Sequence, residues 1–148
     1  RTGSSMTTEL GTMRVTEQID AMSVMAVNPV QYLVTPRVIA MLVMMPVLTL
    51  LFNFVGILAA YAISVVAIGV DPGIFVLNIQ DFVGVDDLQN SAIKGAAFGV
   101  VISVVGCYKG FYASGGAKGV GSATTSSVVT SSISILLLDY VLTVLMWG

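Results

Sequence analysis

The sequence has 148 residues, of which 56% are hydrophobic and only 9% charged, whereas a soluble domain has roughly 25% charged residues, so this is an integral membrane protein. Six basic and eight acidic side chains leave a net charge of −2, too little and too scattered to attract nucleic acid. With no histidine and one cysteine, Cys107, the sequence excludes disulfides, zinc sites and histidine-based catalysis.

The first predicted element is an amphipathic helix over residues 9–26. At about 100° per residue, one apolar stripe consists of Val15, Ile19, Met22 and Ala26. The opposite face consists of Met13, Glu17, Asp20 and Val24, with Arg14 and Gln18 at its edge. One face suits a membrane surface or other helices, and the second, apolar side chains ringed by acids, suits a protein partner. The alternative is an amphipathic connector, since ordinary solvated helices also show mixed faces.

The first membrane span is predicted over residues 35–68, with Thr35 as its N-cap. Asn28-Pro29 ends the opening helix, because the residue before a proline is pushed out of the helical region. The uncharged part of this span would be about 45 Å long as a helix, beyond the ~30 Å hydrocarbon core. Pro46 is the expected kink, and Asn53 is the polar side chain expected to face another helix.

A short helix at the membrane surface is predicted from Pro72 to Phe82, capped by Asp71. The second span follows from about Asp87 to Lys109. It contains two pairs of small residues that favour close helix packing, Gly95 with Gly99 and Gly106 with Gly110. Chance glycines in a glycine-rich membrane helix are the alternative explanation for either pair.

The glycine-rich stretch from Gly110 to Thr125 is predicted to be a tight connector. It is not a phosphate-binding loop, because Lys118 is followed by glycine instead of serine or threonine and no strand precedes it. The third span is predicted from about Thr124 to Trp147. Its first half is rich in serine and threonine, and those hydroxyls need partners inside the protein.

Two charged side chains, Lys94 and Asp139, lie inside predicted spans. An unpaired charge in hydrocarbon costs at least ~2.5 kcal/mol, so each needs a partner or access to water. Counted from the same membrane surface, their depths are about 10 and 12 Å, and a short connector joins their antiparallel helices. A buried ion pair is therefore predicted. In the alternative, Lys94 snorkels outward and Asp139 bonds to hydroxyls of a neighbouring helix.

The loops differ in charge, which predicts the orientation. The basic residues flanking the opening helix and the glycine-rich stretch are Arg14, Arg37, Lys109 and Lys118. The acidic residues between the first two spans are Asp71, Asp81, Asp86 and Asp87. The positive-inside rule then places the opening helix and the glycine-rich stretch in the cytoplasm and the C-terminus outside.

The expected fold is therefore an all-α integral membrane protein, with about three transmembrane helices, a cytoplasmic amphipathic helix and a short interfacial helix outside. Residues 1–148 are expected to form one membrane domain. The sequence opens with neither an initiating methionine nor a signal peptide, so we expect it to be the C-terminal part of a longer chain with further membrane segments upstream.

Three stretches resemble a known family. The opening ELGTMRVTEQIDAMSVMAVNPVQYLVTPR, followed by GGAKGVGSATT and LDYVLTVLMWG, is similar to the MlaE (YrbE) family of lipid-transporter permeases. The resemblance implies a homodimeric permease subunit of an ABC transporter in the bacterial inner membrane. Such a transporter moves phospholipids between the inner and outer membranes and maintains the lipid asymmetry of the outer membrane.

The same resemblance implies partners. Residues 12–25 would be the coupling helix on a separate ATP-binding subunit, and that subunit would use ATP and Mg²⁺ while this chain binds no cofactor. A small cytoplasmic STAS-domain protein and a periplasmic ring of MCE-domain subunits would complete the complex. The phospholipid would be the substrate, and this chain would be a transport subunit, not an enzyme.

Two other classes of function remain open from the residues. In a secondary transporter, Lys94 and Asp139 would relay protons or ions. In a non-transporting scaffold, the spans would only hold other proteins. The opening helix discriminates between these classes, because a secondary transporter has no need of a docking helix for a motor.

Overall fold

The computed structural model describes residues 1–147, which form helices joined by short turns, with no strand among them. The helices are α1 (Thr2–Val15), α2 (Gln18–Val24), α3 (Thr35–Ala62), α4 (Pro72–Phe82), α5 (Val85–Phe111) and α6 (Gly116–Trp147). A single π-helical turn extends α3 at each end, Val30–Val34 and Ile63–Ala67. Within the described residues, α3 with its π turns, α5 and α6 are long and apolar enough to cross a membrane. The predicted all-α membrane fold is confirmed.

The prediction of one continuous opening helix over residues 9–26 is wrong. The chain forms α1 and α2, separated at Thr16 and Glu17, and Glu17 has a left-handed backbone with φ of 60°. Its backbone N–H donates to the Arg14 carbonyl at 3.2 Å, which ends α1. A left-handed backbone conformation costs a non-glycine residue roughly 1–2 kcal/mol. The spacing of apolar residues does not reveal where a single residue adopts it.

Because of this break, the two predicted faces do not exist as continuous stripes. Met13 lies half-buried on α1, whereas Asp20 and Val24 lie exposed on α2. Ile19 of the predicted apolar stripe is buried, at 1% exposure, but Ala26 of the same stripe is exposed and lies beyond the end of α2.

The helix α1 also begins earlier than predicted, at Thr2. Its first half is rich in serine and threonine. In the structure these hydroxyls donate to carbonyls one turn back, as Thr8 does to Ser4 at 2.9 Å, so they do not compete with the helix. This half of α1 packs into the bundle against α5 and α6.

The first membrane helix begins before Thr35, so the predicted N-cap there is wrong. Asn28 caps it instead, accepting from the backbone N–H of Val30 at 3.1 Å, with Pro29 at the first helical position. Residues 30–67 then form 38 residues of helix, about 57 Å at 1.5 Å per residue. The kink expected at Pro46, which lies inside α3, stays a prediction.

The surface helix α4 has the predicted bounds. The Asp71 carboxylate caps it, accepting from the backbone N–H of Gly73 at 2.8 Å and of Ile74 at 3.3 Å. The ring of Phe75 packs edge-on against Tyr61 of α3, with ring centroids 5.5 Å apart. This contact holds α4 close to the end of the first membrane helix.

The predicted glycine-rich connector over residues 110–125 is wrong in extent, because α6 already begins at Gly116. Gly115 and Gly116 have left-handed φ values of 90° and 68°, which reverse the chain in a short turn. A Cβ on Gly119 would overlap the Ser114 carbonyl oxygen, so the first turn of α6 needs glycine there. These glycines make a tight reversal and a close approach instead of a long loop.

Helix α5 is the centre of the bundle and packs on α1, α3 and α6. Gly95 and Gly99 meet α3, where a Cβ on Gly99 would lie 2.9 Å from the Met41 carbonyl oxygen. Gly106 and Gly110 meet α1 instead, and a Cβ on Gly110 would lie 2.8 Å from the Thr7 carbonyl oxygen. Both glycine pairs therefore lie at helix contacts, one pair on each of two neighbours.

We expect Gly99→Leu to force α3 away from α5, because the backbone of Met41 cannot move aside as a flexible side chain would. Overpacking of this kind lowers the free energy of unfolding by about 1–3 kcal/mol. Denaturant unfolding of the purified protein in mixed micelles measures the loss. Gly56→Leu is the matched control, because no atom lies within 4 Å of a Cβ on Gly56. Equal losses in both variants would show that the contact at Gly99 is unimportant.

Candidate functional site

The structure brings the two charged residues of the membrane spans together. Lys94 of α5 places its Nζ 3.0 Å from Asp139 Oδ1 of α6 and donates a second bond to Thr143 Oγ1 at 2.7 Å. The Lys94 side chain is 19% exposed and that of Asp139 51%. The pair therefore joins two long helices within their apolar segments, with Lys94 well covered and one side of the aspartate open.

One turn further along α5, toward its start, a second polar contact joins it to α3. Asn53 Nδ2 donates to Ser91 Oγ at 2.9 Å, and Ser91 in turn donates to the Leu88 carbonyl at 2.8 Å. Asn53 therefore faces a neighbouring helix, as its polarity in a membrane span requires.

Beside this contact, α3 and the start of α5 enclose a lateral groove of about 330 Å³. Its walls are mainly apolar, and its polar lining residues are Asn53 and Asp87. Gly56 forms part of its surface without any close neighbour. An apolar groove with a few polar groups is the kind of surface that binds lipid-like molecules.

Hydroxyl groups join α1 to the first half of α6. Thr7 of α1 is fully buried, and its Oγ1 donates to Ser127 Oγ of α6 at 2.9 Å. Thr8 and Thr124 form a second hydroxyl contact between α1 and α6 at 3.0 Å. The sequence predicted that hydroxyls of the last span need interior partners, but it did not identify Thr7, because α1 was not recognised as a bundle helix.

Other hydroxyls of α6 are satisfied within their own helix. Thr125 and Ser132 are exposed and donate to carbonyls four residues back, at 3.1 and 2.8 Å. The hydroxyls of Thr125 and Ser132 thus bond within α6, whereas that of Ser127 accepts from Thr7 of α1.

The predicted docking residues lie at one end of the bundle, around α2. Glu17 and Gln18 are exposed at the start of α2, and Val24 and Met25 at its end are 88% and 68% exposed. Arg14 of α1 forms an ion pair with Asp20 of α2, which spans the break between the two helices. This part of the chain packs mainly on α1, so its outer surface is open.

Sequence reasoning missed a second ion pair near this end. Arg37 at the start of α3 places its Nη2 3.0 Å from Glu9 Oε2 of α1, although the residues are far apart in the sequence. In the sequence Arg37 contributes only to the predicted orientation, and no periodic pattern links it to Glu9. The pair ties α1 to α3, the two helices on either side of α2.

The turn between α5 and α6 lies at the same end of the bundle as α2. A Cβ on Gly11 of α1 would lie 3.2 Å from Val120 of α6 and 3.4 Å from Ala113 in this turn. Four of the six basic residues, Arg14, Arg37, Lys109 and Lys118, thus lie toward the α2 end, whereas Arg1 and Lys94 lie further along the bundle. Helix α4 with its neighbouring acidic residues follows the far end of α3.

Comparison with known proteins supplies the family. The family described as Permease MlaE matches residues 1–145. A probable ABC transporter permease protein of Rickettsia typhi is 39% identical over 147 residues, which make up 99% of this chain and 57% of that protein. A probable ABC transporter permease protein of Synechocystis sp. is 44% identical over 147 residues, 99% of this chain and 56% of that protein.

A plant protein is also similar. The chloroplastic protein TRIGALACTOSYLDIACYLGLYCEROL 1 of Arabidopsis thaliana is 41% identical over 142 residues, 96% of this chain and 41% of that protein. The chain thus spans little more than half the length of the bacterial relatives and less than half that of the plant relative.

The Lys94–Asp139 pair generates a quantitative prediction. Lys94→Met and Asp139→Leu should each lower the free energy of unfolding, and the double variant should lose less than the sum, because each single change strands the other charge. We expect a coupling on the order of 1 kcal/mol, since Asp139 is half exposed and the pair is partly screened. A double-mutant cycle in mixed micelles measures this coupling. Additive losses would mean that the two charges do not stabilise each other.

Proposed function

The chain belongs to the MlaE permease family, and we propose that it is a membrane-spanning subunit of an ABC transporter that moves phospholipids. The observation that supports the proposal is the position of α2. This short helix has an open outer surface and packs on α1, which in turn packs on α5 and α6. The chain has no nucleotide-binding motif, so ATP would be hydrolysed by a partner subunit. That partner would bind Mg²⁺ and ATP, and this chain would bind no cofactor.

In this proposal α2 is the coupling helix. Protein-binding surfaces combine exposed apolar side chains with polar and charged ones. On α2 and its flanking turns the exposed apolar side chains are Val24 and Met25, and the polar ones are Glu17, Gln18 and Asp20. We place the docking surface on α2 and its flanking turns, because most of α1 packs in the bundle against α5 and α6. The ion pair between Arg14 and Asp20 supports a fixed angle between α2 and α1.

A lipid substrate, of which a phospholipid is the kind that we propose, is supported by two observations. The lateral groove between α3 and α5 is apolar with polar groups from Asn53 and Asp87, which suits acyl chains beside a polar head group. The name of the plant relative is that of a galactolipid, trigalactosyldiacylglycerol. We propose that the whole transporter moves phospholipids between the inner and outer membranes and maintains the lipid asymmetry of the outer membrane.

We further propose the location and the assembly. The permease would lie in the bacterial inner membrane as a homodimer, with α2 and the turn between α5 and α6 in the cytoplasm and the C-terminus in the periplasm. The basic residues at the α2 end support this orientation. A cytoplasmic STAS-domain protein and a periplasmic ring of MCE-domain subunits would be the other partners.

Docking on α2 predicts a specific crosslink. In a Cys107→Ser background, which removes the only native cysteine, Val24→Cys should crosslink to the ATP-binding subunit in membranes. Phe82→Cys is the control, since Phe82 is 81% exposed at the end of α4 and Val24 is 88% exposed on α2. Gel electrophoresis after treatment with a bifunctional reagent detects the product. An assembled complex that crosslinks only through Phe82→Cys would mean that another surface binds the motor.

Lipid transport predicts a dependence on ATP. Vesicles that contain the full complex should move a fluorescent phospholipid when ATP and Mg²⁺ are supplied, and not when a proton gradient alone is applied. Fluorescence quenching at the vesicle surface measures the transfer. Transport driven by the proton gradient without ATP would instead identify a secondary transporter that uses Lys94 and Asp139.

A further inference from the structure

We propose that Thr7 is a positioning residue that transmits movement of α2 to α5 and α6, the two helices that carry the Lys94–Asp139 pair. The inference rests on the proposed transport function and concerns the internal connection between motor and membrane helices. Two observations support the inference: the contacts of the buried Thr7 hydroxyl with α5 and α6, and the register of α5 against α6.

The Thr7 hydroxyl lies where α1, α5 and α6 meet. Its Oγ1 is within reach of three acceptors, the Gly3 carbonyl at 2.9 Å, the Gly106 carbonyl at 3.0 Å and Ser127 Oγ at 2.9 Å. A hydroxyl has a single proton, so it can donate to only one of the three at a time. Rotation about one bond therefore moves the hydrogen bond between α1, α5 and α6 and keeps the buried donor satisfied.

The helix backbones around Thr7 are in direct contact. A Cβ on Gly106 would lie 3.2 Å from the Gly3 carbonyl oxygen, and one on Gly110 would lie 2.8 Å from the Thr7 carbonyl oxygen. Leu10, one turn along α1, has no exposed surface. A displacement of α1 at this level therefore displaces α5 as well, because no side chain between them can absorb the movement.

Of the two connections from α2, the one to α1 is better fixed. Ile19 is 1% exposed, and the Arg14–Asp20 ion pair bridges the break between α1 and α2. On the other side every residue from 23 to 28 is exposed. Movement of α2 is thus passed on more directly by α1 than by the turn that leads to α3.

The helices α5 and α6 are joined at two levels in the same register. Gly106 and Ser127, beside Thr7, are each twelve residues from Lys94 and Asp139 in their own helices. At 1.5 Å per residue the two levels are about 18 Å apart. A shift of α5 against α6 at the Thr7 level must therefore reach the ion pair unless the helices bend between them.

The test uses the full complex in vesicles and measures phospholipid transported per ATP hydrolysed. Thr7→Val removes the hydroxyl and keeps the shape of the side chain, whereas Thr7→Ser keeps the hydroxyl. We expect the ratio to fall at least about threefold in Thr7→Val, the size of an average hydrogen bond between membrane helices, and to recover in Thr7→Ser. Thr125→Val is the matched control, because the Thr125 hydroxyl is exposed and bonds only to the Gly121 carbonyl of its own helix.

Ser127→Ala, which removes only the acceptor on α6, takes the place of Thr7→Val if that variant does not assemble, and it should also lower the ratio. An unchanged ratio overturns the inference, and so does a parallel loss of transport and ATP hydrolysis, which would indicate a purely structural role. A wild-type complex that hydrolyses ATP without moving lipid contradicts the proposed function alone.

In that case spin labels at Val24 and Tyr140 test the inference. The distance between the labels should change when ATP is added to the otherwise wild-type complex, and this change should disappear in Thr7→Val.

Discussion

Close contact between helix backbones is the constraint on which the bundle depends. Lipid is as apolar as leucine, so membrane helices gain little by hiding apolar side chains from it and associate through close packing and hydrogen bonds. Helix α5 meets this requirement with glycine on two sides, toward α3 at Gly95 and Gly99 and toward α1 at Gly106 and Gly110. One helix thereby fixes the positions of two neighbours, and the packing cannot loosen at one contact without changing the other.

Polar side chains add specificity to this packing, because a bilayer interior provides no water to satisfy them. The Lys94–Asp139 pair joins α5 to α6 in one half of these helices. In the other half the Thr7 hydroxyl of α1 lies between Gly106 of α5 and Ser127 of α6, and the two levels together fix the register of α5 against α6. The Asn53–Ser91 bond adds the same restriction between α3 and α5. A slip of either helix by one residue would leave a charge or a hydroxyl without its partner, at a cost well above that of losing an apolar contact.

The sequence predicted the features that depend on local chemistry. Hydropathy was enough for the three long helices, and Asp71 with Pro72 for the start of α4. The ion pair followed from the depths of Lys94 and Asp139. The break at Glu17 was missed because a glutamate, not a glycine, takes the left-handed position. The burial of Thr7 depends on the approach of α5 and α6, which no pattern within α1 records.

The half-exposed carboxylate of Asp139 limits how the permease can be assembled. An unpaired charge that faced acyl chains would cost at least ~2.5 kcal/mol, and Lys94 offsets only part of this cost because it covers one side of the carboxylate. The surface of α6 beside Asp139 must therefore be covered by protein or lie along a space that contains water. Tyr140, next in the chain and 71% exposed, extends this surface with a second polar group. We expect the lipid-facing surface of the bundle to lie on α3 and the π turn that follows it, because residues 38–67 carry no charge.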